Sequence, residues 1–140
     1  MKSLITAITV LLCCTCTSVY AKTCTAKDAQ AADAAVDYLD NWQAVEKNFR
    51  QYRHCDDGSI AEGNSDAIAR LLVQQWQTLT VLESLSKADP SFRAYVLHHI
   101  DSTLDTKSLK AIQHAASTQC PSSSTALCAD LKAAAQRAAR

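Results

Sequence analysis

Three features of the sequence predict an all-α fold. Glycine and proline number two each in 140 residues, too few for the turns of most all-β architectures. Apolar residues recur at three- and four-residue steps through most of the chain, the period of an amphipathic helix. Four cysteines remain once a leader segment is set aside, enough for two disulfides. The predicted architecture is an irregular four- or five-helix bundle stapled by those two bonds.

The leader comes first. Met1 and Lys2 give a short positive start, Leu4 to Leu12 is an apolar run, and Val19-Tyr20-Ala21 offers small residues where a signal peptidase reads. A membrane anchor needs roughly 20 apolar residues, and this run is too short and too rich in Thr and Cys. Lipidation is also disfavoured, because Leu12, Cys13 and Thr15 precede Cys13, Cys14 and Cys16 where a small residue belongs. Residues 1–21 therefore read as a signal peptide cleaved near Ala21, and residues 22–140 as a single helical domain. Export places the mature chain in the periplasm or outside the cell. There Cys24, Cys55, Cys120 and Cys128 read as disulfides, not as zinc ligands, since no CxxC pair is present.

The elements follow in order. Ala35, Tyr38, Leu39, Trp42, Val45, Phe49 and Tyr52 form one apolar stripe, which predicts a long first helix over 28–52. Its acids crowd the first half and Lys47, Arg50 and Arg53 the end, as the helix dipole favours. Residues 54–64 contain both glycines, Gly58 and Gly63, and read as a loop, with Asn64-Ser65-Asp66 as candidate caps. A second helix then carries Ile68, Leu71, Leu72, Leu79 and Leu82 to about Leu85. Asp89-Pro90-Ser91 resets the chain, and Phe92, Tyr95, Val96, His99 and Ile100 form a third. Leu109, Ile112 and Ala116 mark a fourth. Cys120 to Ser124 is a linker, and Thr125 caps a final helix carrying Leu127, Leu131 and Ala134.

Four cysteines allow three pairings. An unbroken helix over 28–52 separates its ends by about 36 Å. Folding back the four residues before it recovers about 13 Å at most, whereas bridged α-carbons lie within about 7 Å. This favours Cys24 and Cys55 each bonded to Cys120 or Cys128. A break near Asp40-Asn41 readmits Cys24–Cys55 and, with it, Cys120–Cys128.

Fourteen basic and fourteen acidic residues leave no net charge, and about −1 once Lys2 is removed, so no charged field points to nucleic acid. The distinctive charged stretch is local: Asp56, Asp57, Glu62 and Asp66 fall within eleven residues with no base between them. It lacks the D-x-D-x-D-G spacing of a calcium loop. It reads as a surface that presents negative charge to a protein partner, or as a turn whose acids favour the next helix. His98 and Asp101 stand three apart and form a weak candidate for a metal or acid–base pair, while His99 points with Phe92, Tyr95 and Val96 toward the core. There is no HExxH, no G-x-S-x-G and no glycine-rich phosphate loop. No catalytic residue, resident metal or cofactor is predicted. Trp42 and Trp76 read as core residues, with a small-ligand cavity as the alternative.

In plan the chain resembles the small periplasmic immunity proteins that act against type VI secretion amidases. The shared features are a signal peptide, about a hundred mature residues, helices throughout and a few disulfides. It is also similar to small secreted bacterial proteins that carry a stretch like Tyr52-Arg53-His54-Cys55-Asp56-Asp57-Gly58-Ser59-Ile60-Ala61-Glu62-Gly63 ahead of a leucine-rich helix ending in tryptophan. The resemblance implies a non-enzymatic interaction protein that inserts a loop into the cleft of a cell-wall hydrolase. The acidic segment 54–66 is the place for that contact. The alternative is a bundle that binds a small ligand or metal in its interior or at His98 and Asp101.

Overall fold

A computed structural model of the chain describes residues 22–140; residues 1–21, read above as a signal peptide, lie outside them. The described residues are all-α, as predicted, but form seven helices rather than four or five: α1 (Ala26–Val36), α2 (Trp42–Tyr52), α3 (Gly58–Gln74), α4 (Leu79–Ala88), α5 (Pro90–His98), α6 (Thr106–Thr118) and α7 (Thr125–Ala138). Short 3-10 turns lie at Arg53–Cys55, Trp76–Thr78 and Ser122–Ser124.

The long first helix predicted over 28–52 is two helices. Residues 37–41 leave the helical path, and Asn41 restarts it as an N-cap, its extended backbone presenting a side-chain oxygen to the Ala44 N–H at 2.9 Å. Leu39, in the turn, is buried, and Trp42 enters the core immediately after it. Leu39 and the stripe of α2 enter the main core while α1 packs through Ala32 and Val36 on a smaller cluster, so the apolar spacing runs on across the break without marking one face.

That break reverses the predicted cysteine pairing. With α2 folded back beside α1, Cys24 bonds Cys55, their α-carbons 4.9 Å apart, and Cys120 bonds Cys128 at 6.1 Å. The distance that excluded the local pairing applied to an unbroken rod. The turn removes it.

The segment 54–64 is not an open loop either. Asp57 caps α3, and the helix begins at Gly58, whose φ of +53° is a left-handed value that glycine adopts without a Cβ penalty. Asn64, Ser65 and Asp66 therefore sit inside α3 instead of capping its start. Gly63 permits close approach between helices: a Cβ there would lie 2.5 Å from Cγ1 of Val36 on α1. The helix predicted to reach Leu85 is interrupted at Gln75, beyond which the Trp76–Thr78 turn leads into α4.

Elsewhere most local signals hold, although Thr125 is the first residue of α7 and not its cap: Ser124 precedes it and makes no side-chain capping bond. Asp89 caps α5 with its side chain on the Ser91 and Phe92 N–H groups, and Pro90 occupies the first turn. Leu127, Leu131 and Ala134 of α7 are all buried. The main core joins α2 through α7 around Trp42, Phe49, Ile68, Leu72, Phe92 and Leu131. Trp42 donates to Thr78 Oγ1 at 2.9 Å within it, whereas Trp76 packs at the edge and donates to the Gln119 carbonyl. A smaller cluster of Ala32, Cys55 and Ile60 fastens α1 to the start of α3, with the Cys24–Cys55 bond at its side.

Candidate functional site

The four acids of the predicted recognition segment separate into two roles. Asp56 turns inward. Its Oδ2 lies 3.0 Å from His99 Nε2, and its Oδ1 accepts from Asn64 Nδ2 at 2.9 Å. The other face of the His99 ring meets Ser65, Nδ1 to Oγ 2.9 Å, and Ser65 Oγ lies 3.2 Å from Asp101 Oδ2. Asn64 also accepts from Asn48 Nδ2 of α2 at 3.0 Å. One polar cluster therefore links α2, the turn before α3, α3 itself and the segment after α5.

The cluster sits where the sequence alternation places it. Asn64 and Ser65 lie beside Ile68 and Leu72 on the inward side of α3, and His99 follows Tyr95 by one helical turn. His99 and Ser65 are 2% and 1% exposed. Burial works against the Asp56 charge, but the hydrogen bonds from His99 and Asn64 outweigh it and hold the carboxyl below the ordinary aspartate range. Burial likewise opposes the Asp101 charge, and bonds from Thr103 and Ser65 win there too.

Proton counting constrains this cluster. Ser65 has one hydroxyl proton, and the Asp56 and Asp101 carboxylates only accept. All the bonds to His99 and Ser65 form together when both ring nitrogens donate: Nε2–H to Asp56, Nδ1–H to Ser65 and Ser65 O–H to Asp101. A neutral ring protonated at Nε2 leaves Ser65 a choice between His99 and Asp101, and one protonated at Nδ1 leaves the Asp56 contact without a proton. Ser65, His99 and Asp56 have the composition of a hydrolytic triad. Yet the hydroxyl is enclosed mid-helix, where no substrate carbonyl reaches it in this conformation.

The remaining acids face outward. Asp57, Glu62 and Asp66 are exposed, Glu62 and Asp66 one turn apart on α3. Helices α1 and α3 run parallel: Cys24–Cys55 joins their starts, Val36 meets Gly63 farther along, and Arg70 of α3 donates to the Leu39 carbonyl at 3.1 Å just beyond the end of α1. With the seam at Val36 and Gly63 and the core on one side, the helical period turns Asp33 of α1 and Asp37, its C-cap with helical backbone angles, to the opposite side. Glu62 and Asp66 turn to that same side. None of Asp33, Asp37, Asp57, Glu62 and Asp66 forms an ion pair among the described residues. By contrast, Asp28 on the other flank of α1 bonds His54 at 3.2 Å and pairs with Lys22 at 3.5 Å; the His54 bond lowers its pKa most.

His98 and Asp101 do not share a helix face, because α5 ends at His98 and Asp101 lies beyond it. Both line one hollow, together with Arg137. Asp101 is already occupied, Oδ2 by Ser65 and Oδ1 by the N–H and hydroxyl of Thr103. Among the described residues no group of three or more His, Cys, Asp and Glu side chains is arranged to hold a metal ion. Nor is any helix among them long and apolar enough to cross a membrane.

Sequence reasoning missed the inward cluster. Its signal was present as polar residues on apolar faces: Asn48 between Val45 and Phe49, Asn64 and Ser65 ahead of Ile68, His99 behind Tyr95. Pairing them required the positions of four separate elements. Comparison with known proteins adds no relative, since no family model, curated protein or solved structure matches the chain.

Proposed function

We propose that the chain is an exported, non-enzymatic binding protein whose outer α1–α3 face recognises a cationic protein surface, as an inhibitor or immunity protein of a cell-wall hydrolase does. The observation that carries this reading is the set of outward carboxylates Asp33, Asp37, Asp57, Glu62 and Asp66, free of ion pairs among the described residues. Like charges on adjacent helices repel, and a fold tolerates that cost where a partner of opposite sign supplies the missing charge. The face is also rigid. One disulfide, the Gly63 contact and the Arg70 bond to the Leu39 carbonyl fix α1 and α3 together, so little order is lost on binding. Two disulfides suit the oxidising compartment that the leader implies.

Asp56 supports this surface from beneath. Its oxygens are engaged by His99 and Asn64, so Asp57, Glu62 and Asp66 make the contact while Asp56 holds the chain beneath them. The test is capture from periplasmic extract with the mature protein and with the triple variant Asp57→Asn/Glu62→Gln/Asp66→Asn. Loss of a basic cell-wall hydrolase from the variant, at unchanged melting temperature, is the expected result. Retention of the same partners at the same level removes the face from consideration.

A further inference from the structure

Charge is unevenly shared along the chain. Residues 106–140, which hold α6 and α7, contain five Lys and Arg side chains and one acid, Asp130. That acid is already engaged by Arg93 of α5 at 2.7 Å. Lys107, Lys110, Arg137 and Arg140 are exposed and Lys132 is half-buried. None of the five forms an ion pair among the described residues. Residues 22–105 carry the opposite excess, thirteen acids against eight bases.

Packing holds the two excesses apart. Helix α1 packs on α3, α3 on α6 and α6 on α7, so these four form a row with the acidic pair at one end and the basic pair at the other. The short turn at Ser122–Ser124 folds α6 and α7 into a helical hairpin, across which Gln113 donates to the Ala135 carbonyl at 3.1 Å. One turn back along α6 and one turn on along α7, Lys110 therefore comes beside the end that bears Arg137 and Arg140. The whole chain has no net charge, so two copies do not repel at long range.

We propose that the molecule associates with itself, the acidic α1–α3 face of one copy docking on the basic α6–α7 hairpin of another. Each surface supplies the charge that the other lacks: Asp33, Asp37, Glu62 and Asp66 against Lys107, Lys110, Arg137 and Arg140. Exposed ion pairs contribute little one by one, so a matched set gives a weak, reversible contact that salt disperses. The contact rests on the outward acidic face of the function proposed above and adds the hairpin as its own requirement.

Sedimentation equilibrium of residues 22–140 at neutral pH tests it. At an ionic strength of about 0.01 M, where the Debye length is about 30 Å, the mean mass should rise with concentration, with a dissociation constant of about 1 mM or below. At about 0.3 M salt the association should weaken at least about tenfold. The acid variant Asp57→Asn/Glu62→Gln/Asp66→Asn and the base variant Lys107→Gln/Lys110→Gln/Arg140→Gln should each sediment as monomers. Mixed together they should form a 1:1 complex, since each retains the face that the other has lost; unchanged melting temperatures show that both are folded. A wild-type chain that stays monomeric at low salt, association that survives high salt, or variants that associate like the wild type overturns the proposal. A monomer that instead binds phosphatidylglycerol vesicles through the hairpin, with binding lost in the base variant, overturns it in favour of a lipid surface. The base variant keeps its acidic face, so its capture of a basic protein tests the earlier reading separately.

Discussion

Gly63→Ala sets two effects of opposite sign against each other and so tests how α1 docks on α3. Replacing a helical glycine by alanine ordinarily stabilises the helix by about 1 kcal/mol. Here the new Cβ would lie 2.5 Å from Val36 Cγ1 and 3.3 Å from Cγ2. Both branches of a stiff β-branched side chain are involved, so rotating one methyl away brings the other closer. Overpacking of this kind costs about 1–3 kcal/mol, and the expected net loss is about 1 kcal/mol. Val36→Ala removes both methyls and leaves only the Val36 Cβ, at an ordinary contact distance of 3.5 Å. In that background Gly63→Ala should stabilise by about 1 kcal/mol, which makes the coupling between the sites about 2 kcal/mol. Urea unfolding followed by circular dichroism measures all four proteins, with unchanged denaturant slopes as the check on two-state behaviour. A Gly63→Ala variant that is stabilised equally in both backgrounds refutes the seam, and with it the placement of Asp33 and Asp37 beside Glu62 and Asp66.

Other outcomes follow from the same structure. Loop entropy predicts a loss of about 3.7 kcal/mol for Cys24→Ala/Cys55→Ala, whose sequence separation is 31, and about 2.6 kcal/mol for Cys120→Ala/Cys128→Ala, whose separation is 8; thermal unfolding of both double variants checks the order, and a reversed order contradicts it. His99→Phe leaves Asp56 and Ser65 without their shared partner and should cost about 2–4 kcal/mol, whereas a loss below about 1 kcal/mol would show the cluster contributes little. Asp56 and Asp101 have folded pKa values below their unfolded ones, so their contribution is full above the unfolded aspartate value near 3.9 and disappears as pH falls through the folded values. Stability attributable to these two groups should therefore hold down to about pH 5 and fall below about pH 4, and substituting both should flatten that acid limb. An acid limb unchanged by the substitutions refutes the assignment.

How much of this was legible in the sequence depends on the range over which each signal acts. Asp89-Pro90 and the Leu127, Leu131 and Ala134 stripe act within one element, and the structure follows them. The turn at 37–41 was harder to see. Leu39 and Trp42 continue the three- and four-residue spacing across the break, because both enter the main core, although α1 itself packs on the smaller cluster through Ala32 and Val36. Asn41 was the one local sign, an N-cap residue ahead of an apolar run. The same turn decides the disulfide pairing, since only an unbroken rod over 28–52 keeps Cys24 from Cys55.

The glycines mark two different requirements. Gly58 supplies the positive φ at the start of α3, whereas Gly63 makes room for Val36 of another helix, a need invisible to local propensity. The candidate site divides in the same way. The clustering of Asp56, Asp57, Glu62 and Asp66 was plain in sequence. That Asp56 turns inward depends on His99, 43 residues away.

The most direct test of the proposed acidic recognition face is the affinity of any basic protein that the capture experiment isolates, purified, for residues 22–140 and for their Asp57→Asn/Glu62→Gln/Asp66→Asn variant. The wild-type dissociation constant should rise with salt, and the variant should bind at least about tenfold more weakly at low salt with a flatter salt dependence and an unchanged melting temperature. Equal affinity and equal salt dependence for the two proteins would contradict recognition through this face.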